Sequence, residues 1–401
     1  MNDDAGVNPT ASLPEIGAAC IAKARSLIPL LQSAADRIEA AGELPPDVLD
    51  AMFDAGMFKL LLPRAVGGYE LRPIDFIQCV QAIAEGDASV AWCMNQGSGC
   101  SMAAAYMAPH IARQIWGSRR DVVAWGQGPG AKAVRAEGGW RVTGTWSFAS
   151  GSRHATWLGA LCPSFEADAS PMIRPDGKPW ERTFMFRREQ ARIDDVWQVM
   201  GLRGTGSDNF TIEDLFVDDA HSLTREHQPE RRQHGPLYSF QAMQLYASGF
   251  ASVALGVSRA MLDGFIALAR RKSQAWSADS LRDNHAVQHI VSYSDAAWKA
   301  ARAGLHRAVD DAWWDVIRIG VLPVEHRIEI RQAATYAIHV SRDIAHSVFH
   351  EAGSTAIFNN RPFERRLRDV NSVSQQLQGR RTHFETVGSF RLGGEPNLRW
   401  I

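Results

Sequence analysis

The chain has 401 residues, 45% of them hydrophobic, with 43 basic and 44 acidic side chains. That length exceeds what one packed core holds, so more than one domain is expected, and the balance of charge leaves no long-range field for a polyanion such as nucleic acid. The opening MNDDAGVNPTASLPE lacks the basic segment and apolar run of a signal peptide, and no run of eighteen uncharged apolar residues marks a membrane span, so a soluble, cytoplasmic protein is expected. Five cysteines, Cys20, Cys79, Cys93, Cys100 and Cys162, form no CxxC pair and read as buried, reduced thiols.

Helical periodicity occupies residues 19 to 116. Leu27, Ile28, Leu31, Ala35 and Ile38 share a face before a stop at Gly42, with Pro29 expected to end or kink that helix. Pro45-Pro46-Asp47 opens a second helix ending near Gly56. From about Asp121 the pattern changes to short strands. The turn Glu137-Gly138-Gly139 precedes the alternating Trp140, Val142, Gly144, Trp146 and Phe148, and Thr183 to Phe186 and Phe210 to Val217 follow. After a polar linker at 225 to 235, Tyr246, Phe250, Val253, Val257, Met261, Phe265 and Leu268 define a long amphipathic helix. Further helices fit 285 to 318, 325 to 352 and 363 to 387, with Gly353 and Gly388 as stops. The division predicted is a helical domain (1–120), a β domain (121–225) and a helical bundle (236–401).

Several strings in this order carry a resemblance: LPRAVGGYE (62–70), GGWRVTGTWSFASGSRHATW (138–157), GLRGTGSDNFTIEDLFV (201–217), AGSTAIF (352–358) and PFERRLRDVNSVSQQ (362–376). Together they resemble the acyl-CoA dehydrogenase superfamily over nearly the whole chain. The resemblance implies an α+β, mainly α fold: an N-terminal helical domain, a middle β-barrel, a C-terminal four-helix bundle and a homotetramer. WSFASG and the ending HFETVGSFRLG are similar to the branch of flavin-dependent monooxygenases, oxygenase components of two-component systems. Those enzymes take FMNH2 or FADH2 from a separate NAD(P)H:flavin reductase, react it with O2 to a flavin C4a-hydroperoxide and hydroxylate aromatic or polycyclic small molecules. The lack of a strand-associated GxGxxG agrees with an outside source of reductant.

Read from the residues alone, Ser150-Gly151 is a strand-end turn, Arg270 and Arg271 complement a helix C-terminus, and Gly353-Ser354-Thr355 is a helix stop. The resemblance instead places Ser150 near flavin N5, with Trp146, Ser147, Phe148 and Gly151 around the ring. It brings Arg203, Thr205 and Ser207 to flavin or substrate oxygens, Arg270 to a flavin phosphate, and Ser354 to the cofactor of a neighbouring subunit. Gln376 stands where the branch carries a histidine. It can donate a hydrogen bond but cannot titrate, which leaves His154 or His383 as candidate bases.

A dehydrogenase of the superfamily needs a carboxylate to take the substrate's α-proton, and neither Gln376-Leu377-Gln378-Gly379 nor Ala247 to Ala254 offers one. A dehydrogenase or desaturase with another base is the second reading and a non-catalytic binding protein the third. His285 with His289 and His346 with His350 have metal-ligand spacing without a third ligand, so no metal is expected.

Overall fold

The structure is a computed structural model and describes residues 12–225, 230–272, 280–398 and 401. Five helices open the chain: α1 (Leu13–Ala41), α2 (Pro46–Asp54), α3 (Pro73–Gly86), α4 (Ala88–Ser101) and α5 (Pro109–Trp116). Gly42 takes φ 66° and closes α1 by donating to the Ile38 carbonyl. Pro29 neither ends nor divides α1. Its ring faces solvent, where water can satisfy the carbonyl it leaves without a donor, while Leu31, Ala34, Ala35 and Ile38 bury the opposite face.

Eight strands follow: β1 (Val123–Trp125), β2 (Lys132–Ala136), β3 (Gly139–Ala149), β4 (Trp157–Phe165), β5 (Glu181–Arg187), β6 (Arg192–Asp194), β7 (Asp208–Asp218) and β8 (Ser222–Leu223). They pair in the order β6-β7-β3-β2-β4-β5-β8, with β1 also on β4; the β2–β4 and β1–β4 pairs are parallel and the rest antiparallel. The sheet wraps far enough for Phe186 of β5 to meet Phe210 of β7 edge-on, 6.1 Å between ring centres. Inside lie Trp140, Val142, Trp146, Leu158, Phe184, Phe210 and Ile212.

The expected alternation of Trp146, Phe148 and Ser150 fails at one place. A register shift between Trp146 and Ala149 forms a bulge, and Phe148 takes φ 59°. Phe148 is therefore turned out to 63% exposure, edge-on to Trp197, while Ala149 and Ser150 both turn inward.

The last part holds α6 (Ala242–Ala269), α7 (His285–Ile319), α8 (Val324–Ala352), α9 (Pro362–Gln375) and α10 (Thr382–Arg391). By length and composition α6 could cross a membrane, a feature hidden in the sequence by its scattered serines and glycines; here it is the centre of the bundle, most of it buried. It packs on α3, α4, α8 and α9, and one continuous apolar core joins the N-terminal and C-terminal helices. The helix expected over 363–387 is broken: α9 ends at Gln375, a 3-10 turn spans Leu377–Gly379, and α10 runs past Gly388 to Arg391.

Gly256 of α6 lies against the Gln81 carbonyl and the Ala84 side chain of α3, and a Cβ there would overlap both. Because that carbonyl belongs to helix backbone and cannot swing aside, Gly256→Ala is expected to cost about 1–3 kcal/mol, read by chemical unfolding.

Candidate active site

The bulge in β3 delivers Ser150 to a buried hydroxyl cluster. The Trp92 indole N–H donates to Ser150 Oγ at 2.9 Å, Ser150 Oγ is 2.8 Å from Ser207 Oγ, and Ser207 Oγ is 2.7 Å from Thr205 Oγ1. Thr205 Oγ1 donates in turn to the Leu202 carbonyl at 2.9 Å. A carbonyl only accepts and each hydroxyl carries a single proton, so the direction of every bond is fixed. Ser207 donates to Thr205, Ser150 donates to Ser207, and Ser150 accepts from Trp92. One lone pair on Ser150 Oγ is left over.

The surrounding turns are stitched together. The Gly151 N–H donates to the Thr205 carbonyl at 2.9 Å, Ser152 Oγ to the Gly206 carbonyl at 3.0 Å, and Arg188 Nε to the Ser152 carbonyl at 2.6 Å. Arg153 clamps the start of β7 through Asp208, 2.7 Å away. Gly151 (φ 81°) and Gly206 (φ 47°) supply left-handed backbone beside the His154 ring and the Arg153 side chain respectively.

Leu202 anchors the second loop. Its carbonyl also accepts the Trp197 indole N–H at 3.0 Å, and its own N–H donates to Asp369 of α9 at 2.7 Å. Burial, with the Asp87 carboxyl nearby, pushes the Asp369 carboxyl up to about 7. A carboxyl with a folded pKa above its unfolded value binds more protons when folded. Its stabilising contribution is thus complete below about pH 4 and is lost as pH rises through 7. Wild type is therefore expected to lose melting temperature relative to Asp369→Asn between pH 5 and 8, and Asp369→Ala, which leaves the Leu202 N–H unpaired, to cost about 1–3 kcal/mol at pH 5 and less as pH rises through 7. Asp369 also lines a cavity of about 490 Å³ between α1, the α3–α4 turn, α6 and α9, on the far side of this anchor.

Gln376 sits in the break between α9 and α10, and three side chains hold the turn behind it. Arg331 donates to Gln378 Oε1, His339 Nε2 to the Gly379 carbonyl at 2.9 Å, and His383 Nε2 to the Leu377 carbonyl at 2.8 Å. Gln376 Oε1 accepts the Gln378 N–H at 2.8 Å, while its Nε2 is buried without a partner. The turn meets α6 where Gln378 reaches Met243. Phe250, whose ring lies tilted against Trp92 at 4.0 Å and so adjoins Ser150, is seven residues further, about 10 Å along the axis.

Several expected site residues stand elsewhere. Trp146 is a barrel-core residue: fully buried, stacked on Phe210 and donating to the Leu161 carbonyl at 3.0 Å, it offers no face to a ligand. Ser147 is half-buried and pairs through its backbone with Gln127. Arg203 is exposed, bonded to the Val199 carbonyl and beside Glu39. His383 is occupied by Leu377 and does not share a helix face with Gln376, because the helix is broken between them.

His154 lies against Phe58 with its Nε2 buried and unpartnered; burial and Arg188 lower its pKa to about 4, so at neutral pH it is uncharged and a poor base. His346 bonds Asn371, His285 bonds Gln288, and His289 stacks on Tyr293. The five cysteines are buried and free.

Arg270 and Ser354 are exposed at the far end of α6, brought together by Lys272, whose Nζ bonds the Ala352 carbonyl at 3.0 Å and Thr355 Oγ1 at 2.7 Å. Arg270 is twenty residues beyond Phe250, about 30 Å along α6. Within one chain it shares no ligand with Ser150. Neither Trp92 nor Lys272 stands in a motif of the sequence. Asn95 on α4 carries no motif either, and it is fully buried with both amide atoms unpartnered.

Two family models match the chain, the acyl-CoA dehydrogenase N-terminal domain over residues 28–114 and the acyl-CoA dehydrogenase C-terminal domain over 248–378, together more than half of its length. The chain belongs to the acyl-CoA dehydrogenase superfamily. Its relatives lie in the superfamily's monooxygenase branch. It is 28% identical to an indole-3-acetate monooxygenase of Pseudomonas putida over 351 residues, 87% of each chain. It is 27% identical to HsaA, the oxygenase subunit of a flavin-dependent monooxygenase of Rhodococcus jostii, over 86% of this chain and 91% of that one. Among solved structures, XiaF from Streptomyces sp., in complex with FADH2 and glycerol, superposes with a TM-score of 0.86 at 20% identity, covering 96% of this chain and 98% of that one.

Proposed function

We propose that this superfamily member is the oxygenase component of a two-component flavin-dependent monooxygenase that hydroxylates an aromatic small molecule. Bound reduced flavin supplies two electrons to O2, so that one oxygen atom enters a substrate C–H bond and the other leaves as water. The observation that carries this reading is the direction of the hydroxyl chain. Ser150 spends its proton on Ser207 and keeps only an acceptor lone pair, which matches N5 of a reduced flavin, a donor, and not N5 of an oxidised one, an acceptor.

The residues do three things in this reading. Ser150, held by Trp92, Ser207 and Thr205, orients the ring edge. Gln376 offers its free amide N–H to the reacting oxygen, with no titration needed. Burial of this cluster under α4 and α6 keeps water out.

The indole-3-acetate and HsaA relatives support an aromatic substrate and a separate flavin reductase. The absence of any acid at 376–379 and at 247–254 speaks against α-proton removal. Arg270, Lys272 and Ser354 would meet a flavin phosphate only from a second copy, which favours a homotetramer; either FMN or FAD fits. Turnover with a flavin reductase and NADH under ¹⁸O2 tests the proposal. One ¹⁸O per hydroxylated product supports it, and a desaturated, unlabelled product sinks it.

A further inference from the structure

The cavity beyond Asp369 has a lining that points to a ligand of its own. Ile28 of α1, Ala84 and Ala88 beside the α3–α4 turn, and Val257 and Ala260 of α6 give it an apolar wall, and five acids and three arginines share the rest. At the rim the charges are satisfied. Exposed Asp36 is bonded by Arg365, exposed Asp263 by Arg259, and Arg361 faces solvent.

Deeper in they are not. Glu85 is half-buried, Asp87 and Asp369 are 6% and 5% exposed, and none of the three forms an ion pair among the described residues. The Glu85 carboxyl accepts from the Gln81 amide at 3.0 Å, and Asp87 caps α4 through the Val90 N–H at 3.0 Å. Asp369 takes the Leu202 N–H on one oxygen, and its other oxygen receives no donor among the described residues. Arg365 is taken up by Asp36 and Glu39, which leaves Arg366; this guanidinium donates to the Glu85 backbone carbonyl at 3.4 Å and meets Asp87 and Asp369 only through space.

A carboxylate out of water without a cation is costly, and burial accordingly raises the pKa of all three, that of Asp369 to about 7. Three such carboxyls beside one guanidinium call for two more positive charges, and the apolar wall suits methylenes. The same negative balance repels a phosphate, which keeps the flavin's phosphate from this place.

We infer that the cavity binds a small aliphatic diamine as its dication, one ammonium group meeting Asp369 and Asp87, the methylenes lying along Val257 and Ala260, and the other ammonium meeting Glu85. The inference does not rest on the oxygenase reading. It is tested by calorimetric titration of the full-length protein at pH 8, where Asp369 is ionised, in about 0.15 M salt, which screens loose surface attraction. The ligands are 1,3-diaminopropane, 1,4-diaminobutane and 1,5-diaminopentane, beside 1-aminobutane and the neutral 1,4-butanediol.

At least one diamine is expected to bind tenfold or more tightly than 1-aminobutane, and the diol not at all. Two variants place the ligand. Asp369→Asn keeps an oxygen for the Leu202 N–H and loses the charge; Ala260→Leu keeps every charge and fills the space. Each should weaken the diamine tenfold or more, and should one of them fail to fold, the other decides. No diamine binding in wild type, a diol that binds as tightly as the diamine, or an affinity that a folded variant leaves unchanged overturns the inference.

Discussion

Ser150→Ala is expected to lower product formed per flavin oxidised by about 10²-fold, the size of effect seen when one oriented donor or acceptor is removed from a reacting centre. Reduced flavin should bind only about 3–10-fold more weakly, the worth of one hydrogen bond. The electrons then go to hydrogen peroxide, measurable with a peroxidase assay beside product chromatography. Ser207→Ala makes the sharper companion. It deletes the group that takes the Ser150 proton, so Ser150 becomes free to donate, and oxidised flavin is expected to gain affinity while reduced flavin does not. A variant that lowered both affinities equally would show that the direction of the chain is immaterial.

The second large effect is expected at Gln376. Gln376→Leu removes the buried, unpartnered Nε2 donor and also the Oε1 that accepts the Gln378 N–H, while the turn keeps the bonds from Arg331, His339 and His383, and product yield should fall about 10–10²-fold with little change in flavin affinity. Gln376→His keeps a donor and adds a group that titrates near neutral pH. Its product yield should stay near that of wild type, with a new pH dependence between pH 5 and 8 that wild type lacks. Equal yields from the leucine variant and wild type would remove Gln376 from the reaction.

Much of the fold was legible because periodicity and punctuation agree: the Gly42 stop, the Pro46 start, the strands around Trp140, Thr183 and Phe210, and the long apolar face of α6 all fall where the pattern puts them. The strand β4, WLGALCPSF, has too little alternation to declare itself, since a strand buried over most of its length reads as a plain apolar run. The bulge at Phe148 is equally silent, because a register slip leaves the local composition untouched and only the partner strand reveals it.

The break at Gln376 has neither glycine nor proline at its first residues; it is imposed from α8 and α10 by side chains that hold the turn's carbonyls, a tertiary cause outside any local window. For the candidate site, the resemblance singled out Ser150, Thr205 and Ser207, which the structure brings into one hydroxyl cluster, but Trp92, which holds Ser150, is 58 positions away and carries no motif. Trp146 misled because an aromatic next to a site string looks the same in sequence whether it faces a ligand or the barrel core.

Whether the site is built for reduced flavin and oxygen is decided by anaerobic titration of the purified protein with reduced and with oxidised FMN and FAD, followed by stopped-flow mixing of the reduced complex with O2. The reduced form is expected to bind more tightly, and an absorbing species to persist before oxidised flavin appears. Tighter binding of the oxidised form, with immediate reoxidation and no such species, would contradict that reading and return the protein to the dehydrogenases of its superfamily.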